Sequence, residues 1–155
     1  MIDKKTGWSY KVLEIKRVAR VTRGGKRFKV RAVVVAGNRK GRVGIGIEKG
    51  IDISQAVSKA LNSAIKNSIN VPIVNGTISY ETYSKKGASK VLIKPIKSGL
   101  GLRAGGSVKV VLELAGVKDA SSKILGVTKN SLTNALCAIE ALKKLNKYTK
   151  ENVNK

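Results

Sequence analysis

Two β-prone runs that meet at a glycine pair constrain the fold of this chain more than any other feature. Residues 11–22 mix β-branched and cationic residues, and along residues 27–35 Phe28, Val30, Ala32 and Val34 alternate with a second set that begins with Arg27, Lys29 and Arg31; Gly24 and Gly25 lie between the two runs. A period of two is the spacing of side chains on one face of a β-strand. Because glycine reaches positive φ angles without a steric penalty, the pair predicts the tip of a β-hairpin. On the first strand, the residues predicted to share one face are Leu13, Ile15, Ala19 and Val21.

The predicted tip is crowded with positive charge. Its cations are Arg23, Lys26, Arg27, Lys29 and Arg31. Side chains of like charge at this spacing repel one another unless an anion lies beside them. Two interpretations follow: a solvated run of charges without a partner, or a surface that binds a polyanion.

The charge of the whole chain favours the polyanion. Lys and Arg number 32 against 9 Asp and Glu, a formal net charge of +23 over 155 residues. Such a surplus favours binding to nucleic acid or to an anionic membrane surface. No apolar stretch approaches the roughly 18 residues of a membrane-spanning helix. The first residues, MIDKKTGWSYK, lack the apolar core of a secretory signal, so we expect neither a signal peptide nor a membrane partner.

The residue types that carry most metal and enzyme chemistry are scarce. The chain has no histidine and one cysteine, Cys137, which excludes zinc sites of the usual ligand types and histidine-based acid–base catalysis. A single cysteine cannot form an internal disulfide, which fits a reducing compartment. Its apolar neighbours predict that Cys137 is buried. We therefore predict a binding protein with no enzymatic activity, no cofactor and no metal.

The first half of the chain predicts three strands and a helix. A turn at residues 37–41 leads into a third strand at 42–50, whose glycines would let another backbone or a ligand come close. The period then becomes helical, with Asp52 or Ser54 as the N-cap. The apolar face of this helix is Val57, Ala60, Leu61, Ala64 and Ile65. The order β-β-β-α places one helix across an antiparallel sheet.

The second half contains one segment whose type the pattern leaves open. Two strands are predicted on either side of a turn at residues 85–87, and a short strand or loop at 118–127. Residues 108–117 fit a strand by their β-branched content and a helix by their spacing, with Ser107 as the N-cap of that helix. The last helix has the apolar face Leu132, Ala135, Leu136, Ile139 and Leu142. Residues 147–155 are predicted to form a polar, disordered tail.

A glycine motif at residues 99–104, GLGLRA, matches the pattern G-x-G-x-x-A of dinucleotide-binding proteins, and Asp119 follows at a suitable distance. That fingerprint requires a buried parallel strand before it, whereas the preceding segment carries three lysines and a proline. We expect the loop either to offer its amide groups to a phosphate or another backbone, or to be a plain tight turn.

Aromatic residues are few. Trp8 and Tyr10 are candidates for stacking on a base or, equally, for a hydrophobic lid over the sheet, and Phe28 is the only phenylalanine. Because stacking platforms are in short supply, we expect recognition of RNA through phosphates, 2′-hydroxyl groups and shape.

Several blocks of the sequence closely resemble one family. The blocks RVARVTRGGKRFKVRAVVVAGNRKGRVGIGIEKG, KNSINVPIVNGTI and AGGSVKVVLELAGV are similar to the small-subunit ribosomal protein S-five family, in order, from about Trp8 to Leu145. The resemblance implies an α+β fold: a β-β-β-α domain like those that bind double-stranded RNA, over residues 8–73, and a β-α-β-α two-layer domain, over 74–146. It also implies that residues 108–117 are a helix.

The resemblance implies a function in the small ribosomal subunit. Members of the family bind small-subunit rRNA, support assembly and decoding accuracy, lie near the site where mRNA enters, and contact the neighbouring proteins S-four and S-eight, with one copy per ribosome. The glycine hairpin, Thr22 to Arg27, matches the segment that reaches rRNA in the family. With the cations of the adjoining strands and turn, the predicted rRNA-binding residues are Lys16, Arg20, Arg23, Gly24, Gly25, Lys26, Arg27, Lys29, Arg31, Arg39, Lys40 and Arg42. Those that match the contact with S-four are Ala104, Gly105, Gly106 and Lys109. The ribosome would be that of a bacterium, a plastid or a mitochondrion.

Two other functions compete with this one. A free-standing double-stranded-RNA-binding protein would account for the first half of the chain and leave the second unexplained. A nucleotide-dependent enzyme would account only for the glycine loop at 99–104.

Overall fold

The structure is a computed structural model that describes residues 7–153, with side chains as far as Leu145. It contains ten strands and three helices in this part of the chain. In chain order they are β1 (Ser9–Thr22), β2 (Gly25–Gly37), β3 (Arg42–Gly50), α1 (Ile53–Lys66), β4 (Ile69–Asn70), β5 (Ile73–Val74), β6 (Thr77–Ile78), β7 (Thr82–Lys86), β8 (Ser89–Pro95), β9 (Leu102–Arg103), α2 (Gly106–Ala115), β10 (Ala120–Ile124) and α3 (Ser131–Val153).

The first half is an antiparallel sheet in the order β1-β2-β3-β4, with α1 across one face, which confirms the predicted β-β-β-α order. The strand glycines explain how close α1 lies. A Cβ on Gly46 would overlap the carbonyl oxygen of Ala60, and a Cβ on Gly50 would lie 2.6 Å from the amide nitrogen of Ala56. The glycines therefore admit the backbone of a helix. Of the two predicted caps, it is the Asp52 side chain that accepts a hydrogen bond from the Ile53 amide, at 2.7 Å.

A bulge in β1 corrects the predicted face of that strand. The pairing of β1 with β2 shifts between Val12 and Glu14, so the alternation is interrupted there. Leu13 packs against the largest core cluster, whereas Ile15 pairs with Ala32, whose side chain belongs to the cluster beneath α1. The prediction that Leu13 shares a face with Ile15 was wrong, because an extra residue in a strand reverses the direction of every side chain after it.

The second half is a sheet in the order β7-β8-β10-β9, with α2 and α3 packed on one face. Strand β10 pairs with β9 in parallel and with β8 in antiparallel orientation. Residues 106–115 form a helix, which agrees with the family resemblance. The N-cap of α2 is Gly105 and not the predicted Ser107. The carbonyl of Gly105 accepts the first helical hydrogen bond, from the amide of Lys109 at 3.1 Å, and glycine tolerates the extended backbone of a cap.

The largest core cluster joins the two halves. The face of the first sheet opposite α1 contributes Val33, Val35 and Ile45, which pack with Leu112 of α2 and Leu142 of α3. The β2–β3 turn also satisfies the last carbonyls of α2: the amide of Arg39 donates to Leu114, at 3.0 Å, and the amide of Gly41 donates to Ala115, at 2.8 Å. The predicted boundary between residues 73 and 74 falls within β5.

Three smaller predictions have definite outcomes. Cys137 is buried, as predicted. Trp8 and Tyr10 pack against the cluster of Ala36, Leu61 and Ala64, so they form the lid. The predicted disordered tail is helical as far as Val153, and residues 154 and 155 lie outside the described residues. A helix that is already nucleated gains one hydrogen bond for each further residue, and the tail contains no proline or glycine to stop it.

Candidate nucleic-acid interface

The register of the β1–β2 hairpin gathers its cations on one face. Residues directly opposite each other in an antiparallel pair project to the same side of the sheet. Two of these pairs consist of cations, Lys16–Arg31 and Arg20–Arg27. Lys29, which lies opposite Val18, and Lys49 of β3, which lies opposite Arg31, project to the same side. We call this set the cationic face: Lys16, Arg20, Arg27, Lys29, Arg31 and Lys49. Lys49 was not among the residues predicted from the sequence, because only strand pairing brings it to this face.

Every cation of this face except Lys29 lies directly opposite another cation. Like charges directly across from one another destabilise a sheet. Arg20 and Arg27 are such a pair, and both are exposed. The one ion pair found on the cationic face, within the described part of the chain, joins Lys16 to Glu14 at 2.7 Å. Phosphates of a nucleic acid would replace this repulsion by attraction, whereas water only screens it.

The opposite face of the hairpin is largely apolar. Val21 is 74% exposed and Phe28 is 49% exposed, and the guanidinium carbon of Arg17 lies 3.8 Å from the centre of the Phe28 ring. Lys26 lies opposite Val21 and therefore projects to this side. The predicted tip residues are thus divided between two faces that differ in chemistry.

The tip itself is a two-residue loop, Arg23 and Gly24, closed by the pair Thr22 and Gly25. The hydroxyl of Thr22 donates a hydrogen bond to the carbonyl of Gly25 at 3.0 Å. Only Gly25 of the glycine pair has a positive φ, of 136°. A Cβ on either glycine would meet no atom within 4 Å, so the tip is open to a partner.

A second group of predicted residues lies at the other end of β2. Arg39 and Lys40 belong to the β2–β3 turn, and Arg42 is the first residue of β3. The 13 residues of β2 separate this turn from the hairpin tip, a distance of about 40 Å along a strand. The side chain of Asn38 shapes the turn by accepting hydrogen bonds from the amides of Lys40 and Arg42, at 2.8 and 2.9 Å. The Arg42 guanidinium lies over the Trp8 ring, at 5.6 Å. The structure therefore does not bring these cations to the hairpin.

Arg39 instead lies in a groove beside α2. The groove has a volume of about 700 Å³, and Arg39, Lys11, Lys109 and Lys118 line it together with Glu113. The groove thus unites Arg39, predicted to bind rRNA, with Lys109, predicted to contact a protein. Gly106 also lines it, Gly105 is exposed at the start of α2, and Ala104 packs against the largest core cluster. Lys11 and Lys118 were not among the residues predicted from the sequence: Lys11 belongs to β1, and Lys118 lies in the connection between α2 and β10.

The glycine loop at 99–101 is held by the protein's own carboxylate. Asp119 is buried, and one of its carboxylate oxygens accepts hydrogen bonds from the amides of Gly99, at 3.1 Å, and Gly101, at 2.8 Å. The amides of Lys118 and Asp119 donate to the carbonyl of Gly76, which ties the loop to the β5–β6 hairpin. These two glycine amides meet a carboxylate rather than the phosphate or backbone considered from the sequence, and Asp119 has a structural role.

The described residues show neither a cluster of metal ligands nor a membrane-spanning helix. No three His, Cys, Asp or Glu side chains within residues 7–145 converge as metal ligands would. No helix in the described part of the chain is both long enough and apolar enough to cross a membrane.

Comparison with known proteins gives matches over both halves of the chain. The family described as "Ribosomal protein S5, N-terminal domain" matches residues 8–72, and "Ribosomal protein S5, C-terminal domain" matches residues 84–155. The small ribosomal subunit protein uS5c of Guillardia theta is 43% identical over 148 residues, which cover 95% of this chain and 87% of that protein. The uS5 protein of Thermotoga maritima is 44% identical over 135 residues, which cover 87% and 75%, and that of Thermosynechococcus vestitus is 43% identical over 148 residues, which cover 95% and 84%. With both domains matched in order and this identity over most of its length, the chain belongs to the ribosomal protein S5 family.

Proposed function

We propose that this chain, a structural constituent of the small ribosomal subunit, binds small-subunit rRNA chiefly through the cationic face of its hairpin. The observation that carries the proposal is the register of β1 and β2. It places Lys16, Arg20, Arg27, Lys29 and Arg31 on one side of the hairpin and leaves the other side largely apolar. A face of six cations, of which only Lys16 is paired with a carboxylate among the described residues, fits a phosphate backbone.

The shape of the hairpin supports this role. Near the tip, residues 19–29 of both strands are exposed, so the hairpin projects beyond the core as an arm. Its glycines leave the tip narrow enough to enter a groove of RNA. We assign rRNA contacts to the cationic face and to Arg23, Gly24, Gly25 and Lys26 at the tip. A separate contact is assigned to the β2–β3 turn, through Arg39, Lys40 and Arg42.

The groove beside α2 is assigned to a neighbouring protein. Lys109 lies in the first turn of α2, where the helix dipole disfavours a cation, so a carboxylate of a partner would stabilise it. By family resemblance that partner is S-four, and the contact consists of Ala104, Gly105, Gly106 and Lys109. The resemblance also implies that S-eight is a neighbour, that mRNA enters the subunit nearby, and that the contact with S-four affects decoding accuracy. We propose that residues 8–73 are the RNA-binding unit, that 74–146 are the second unit, and that the chain has no enzymatic activity.

The relatives set the location. They come from bacteria and, for uS5c, plastids, so the chain works in a ribosome of the bacterial or organellar type. A free-standing RNA-binding protein is not favoured, because it would not explain why residues 84–155 match the C-terminal domain of a ribosomal protein.

Co-sedimentation with small ribosomal subunits tests the proposal. Tagged chain should be recovered in the small-subunit fraction at moderate salt, at one copy per subunit. A variant with Arg20, Arg27 and Lys29 each replaced by Gln should be depleted from that fraction when it competes with the wild-type chain. Equal incorporation of the two chains would contradict the role of the cationic face.

A further inference from the structure

The outer face of the second sheet is also cationic. Helices α2 and α3 cover one side of this sheet, and the side chains of Ser84, Val91 and Ile93 are buried there. The register places the alternate residues on the uncovered side: Lys85 lies opposite Lys90, Tyr83 and Lys123 lie opposite Leu92, and Arg103 lies opposite Ser121, which pairs with Lys94. We call this surface the outer sheet face: Tyr83, Lys85, Lys90, Lys94, Arg103 and Lys123.

Charge on the outer sheet face is poorly compensated. Lys85 and Lys90 are a like-charged pair directly across two strands, as Arg20 and Arg27 are in the hairpin. All five cations are exposed. Among the described residues, the one ion pair on this face joins Lys94 to Glu81 at 3.3 Å. The other four cations have no ion-pair partner among the described residues, and two of them, Lys85 and Lys90, face each other across the strands. A polyanion that covers this face would therefore stabilise the sheet.

An aromatic ring lies among these cations. Tyr83 is 45% exposed, and the partly exposed side chain of Leu92 lies directly across from it. An exposed ring surrounded by cations on an open sheet can stack with a base or ribose while the cations bind phosphates. An acidic protein segment could use the same charges; RNA is favoured here because the ribosomal C-terminal family match, residues 84–155, includes all five cations of this face.

We propose that the outer sheet face is a second RNA-binding surface, on which a segment of rRNA backbone runs across Lys85, Lys90 and Lys123, with a base or ribose against Tyr83. The inference rests on the proposed rRNA-binding function and assigns it to a surface separate from the hairpin. The chain would then bind rRNA through both of its halves.

The test compares variants of equal charge for binding to a full-length small-subunit rRNA transcript between 50 and 200 mM salt. The sheet variant replaces Lys85, Lys90 and Lys123 by Gln, the hairpin variant replaces Arg20, Arg27 and Lys29, and a control replaces Lys59, Lys97 and Lys129, which are exposed elsewhere. The sheet variant should bind on the order of 100-fold more weakly at 150 mM, and its salt slope should fall by roughly 2 to 3 relative to the control. Tyr83→Leu should weaken binding about fivefold or more with an unchanged slope, because stacking releases no counterions.

Each outcome discriminates. A sheet variant that binds with the affinity and slope of the control overturns this inference and leaves the hairpin proposal standing. If the hairpin variant binds rRNA like the control while the sheet variant binds more weakly, the hairpin proposal is refuted and the second surface is supported. Normal binding of the sheet variant to bare rRNA, with poor retention in assembled subunits, identifies an acidic protein as the partner and overturns the RNA assignment. Wild-type chain that does not bind the transcript overturns both.

Discussion

The salt dependence of rRNA binding is the most direct measure of the hairpin's role. If each of the six cations of the cationic face neutralises one phosphate, their combined slope of log affinity against log salt is about 5, at roughly 0.9 per contact. The affinity carried by the face should then fall roughly 1,000-fold between 50 and 200 mM salt. Gln at Arg20, Arg27 and Lys29 removes half of these contacts and lowers the slope by about 2.7.

The size of the defect should depend on the salt concentration. At 150 mM, three lost contacts amount to roughly 2 decades of affinity, and at 50 mM to about 3.5 decades, because counterion release is worth more at low salt. The two binding curves should therefore converge as salt is added. Filter binding or fluorescence anisotropy with a labelled rRNA transcript measures both slopes.

Folding of the variant must be checked separately. The three side chains are exposed, and their removal relieves the pair Arg20–Arg27, so the free energy of unfolding should stay within about 0.5 kcal/mol of wild type. A variant that is folded and loses affinity by the same factor at every salt concentration would refute the reasoning, since phosphate contacts cannot be lost without a change in slope. Replacement of Lys59, Lys97 and Lys129 lowers the net charge equally and controls for long-range attraction.

Three further predictions concern the scaffold and the α2 groove. Gly46→Ala should destabilise the fold by about 2 to 3 kcal/mol in urea unfolding, because its Cβ overlaps the backbone of α1, whereas Gly24→Ala, whose Cβ meets nothing, should be nearly neutral. Asp119→Ala should cost about 2 to 3 kcal/mol and speed hydrogen exchange at the two glycine amides that Asp119 now binds; unchanged exchange there would contradict its role. Lys109→Glu should change the miscoding frequency with little effect on subunit assembly, and normal miscoding in ribosomes that contain the variant would remove Lys109 from the proposed contact.

The fold was largely predictable where the period of the sequence is clear. The hairpin and α1 have clear periods of two and of 3.6, and both elements form as predicted, except that the bulge in β1 turns Leu13 away from the face of Ile15. Helix α2 left two interpretations open because it is buried on most sides: Val110 and Val111 are adjacent and both buried, and its polar face in residues 108–115 consists only of Lys109 and Glu113, so the helical period is weak. The resemblance, rather than the pattern, decided that segment.

The candidate site was predictable by residue type and less so by position. A cluster of cations around a glycine pair is visible in the sequence, and the period of two separates the two sides of each strand, but only the register shows which side of β1 joins which side of β2. The outer sheet face depends on pairings between residues up to about 30 positions apart, such as Lys123 with Leu92. Such sets become visible only when the strands are paired.

The shared core has a consequence for the chain while it is being made. Val33, Val35 and Ile45 are translated before Leu112 and Leu142, which cover them in the finished protein. At a synthesis rate of about 5 to 20 residues per second, the nearly 100 residues from Ile45 to Leu142 take roughly 5 to 20 seconds. During that interval the first sheet has its helix on one side and an uncovered apolar surface on the other. We expect a nascent chain with residues 1–75 outside the ribosome to bind a holdase chaperone through this surface, and the completed, folded chain to be released from it.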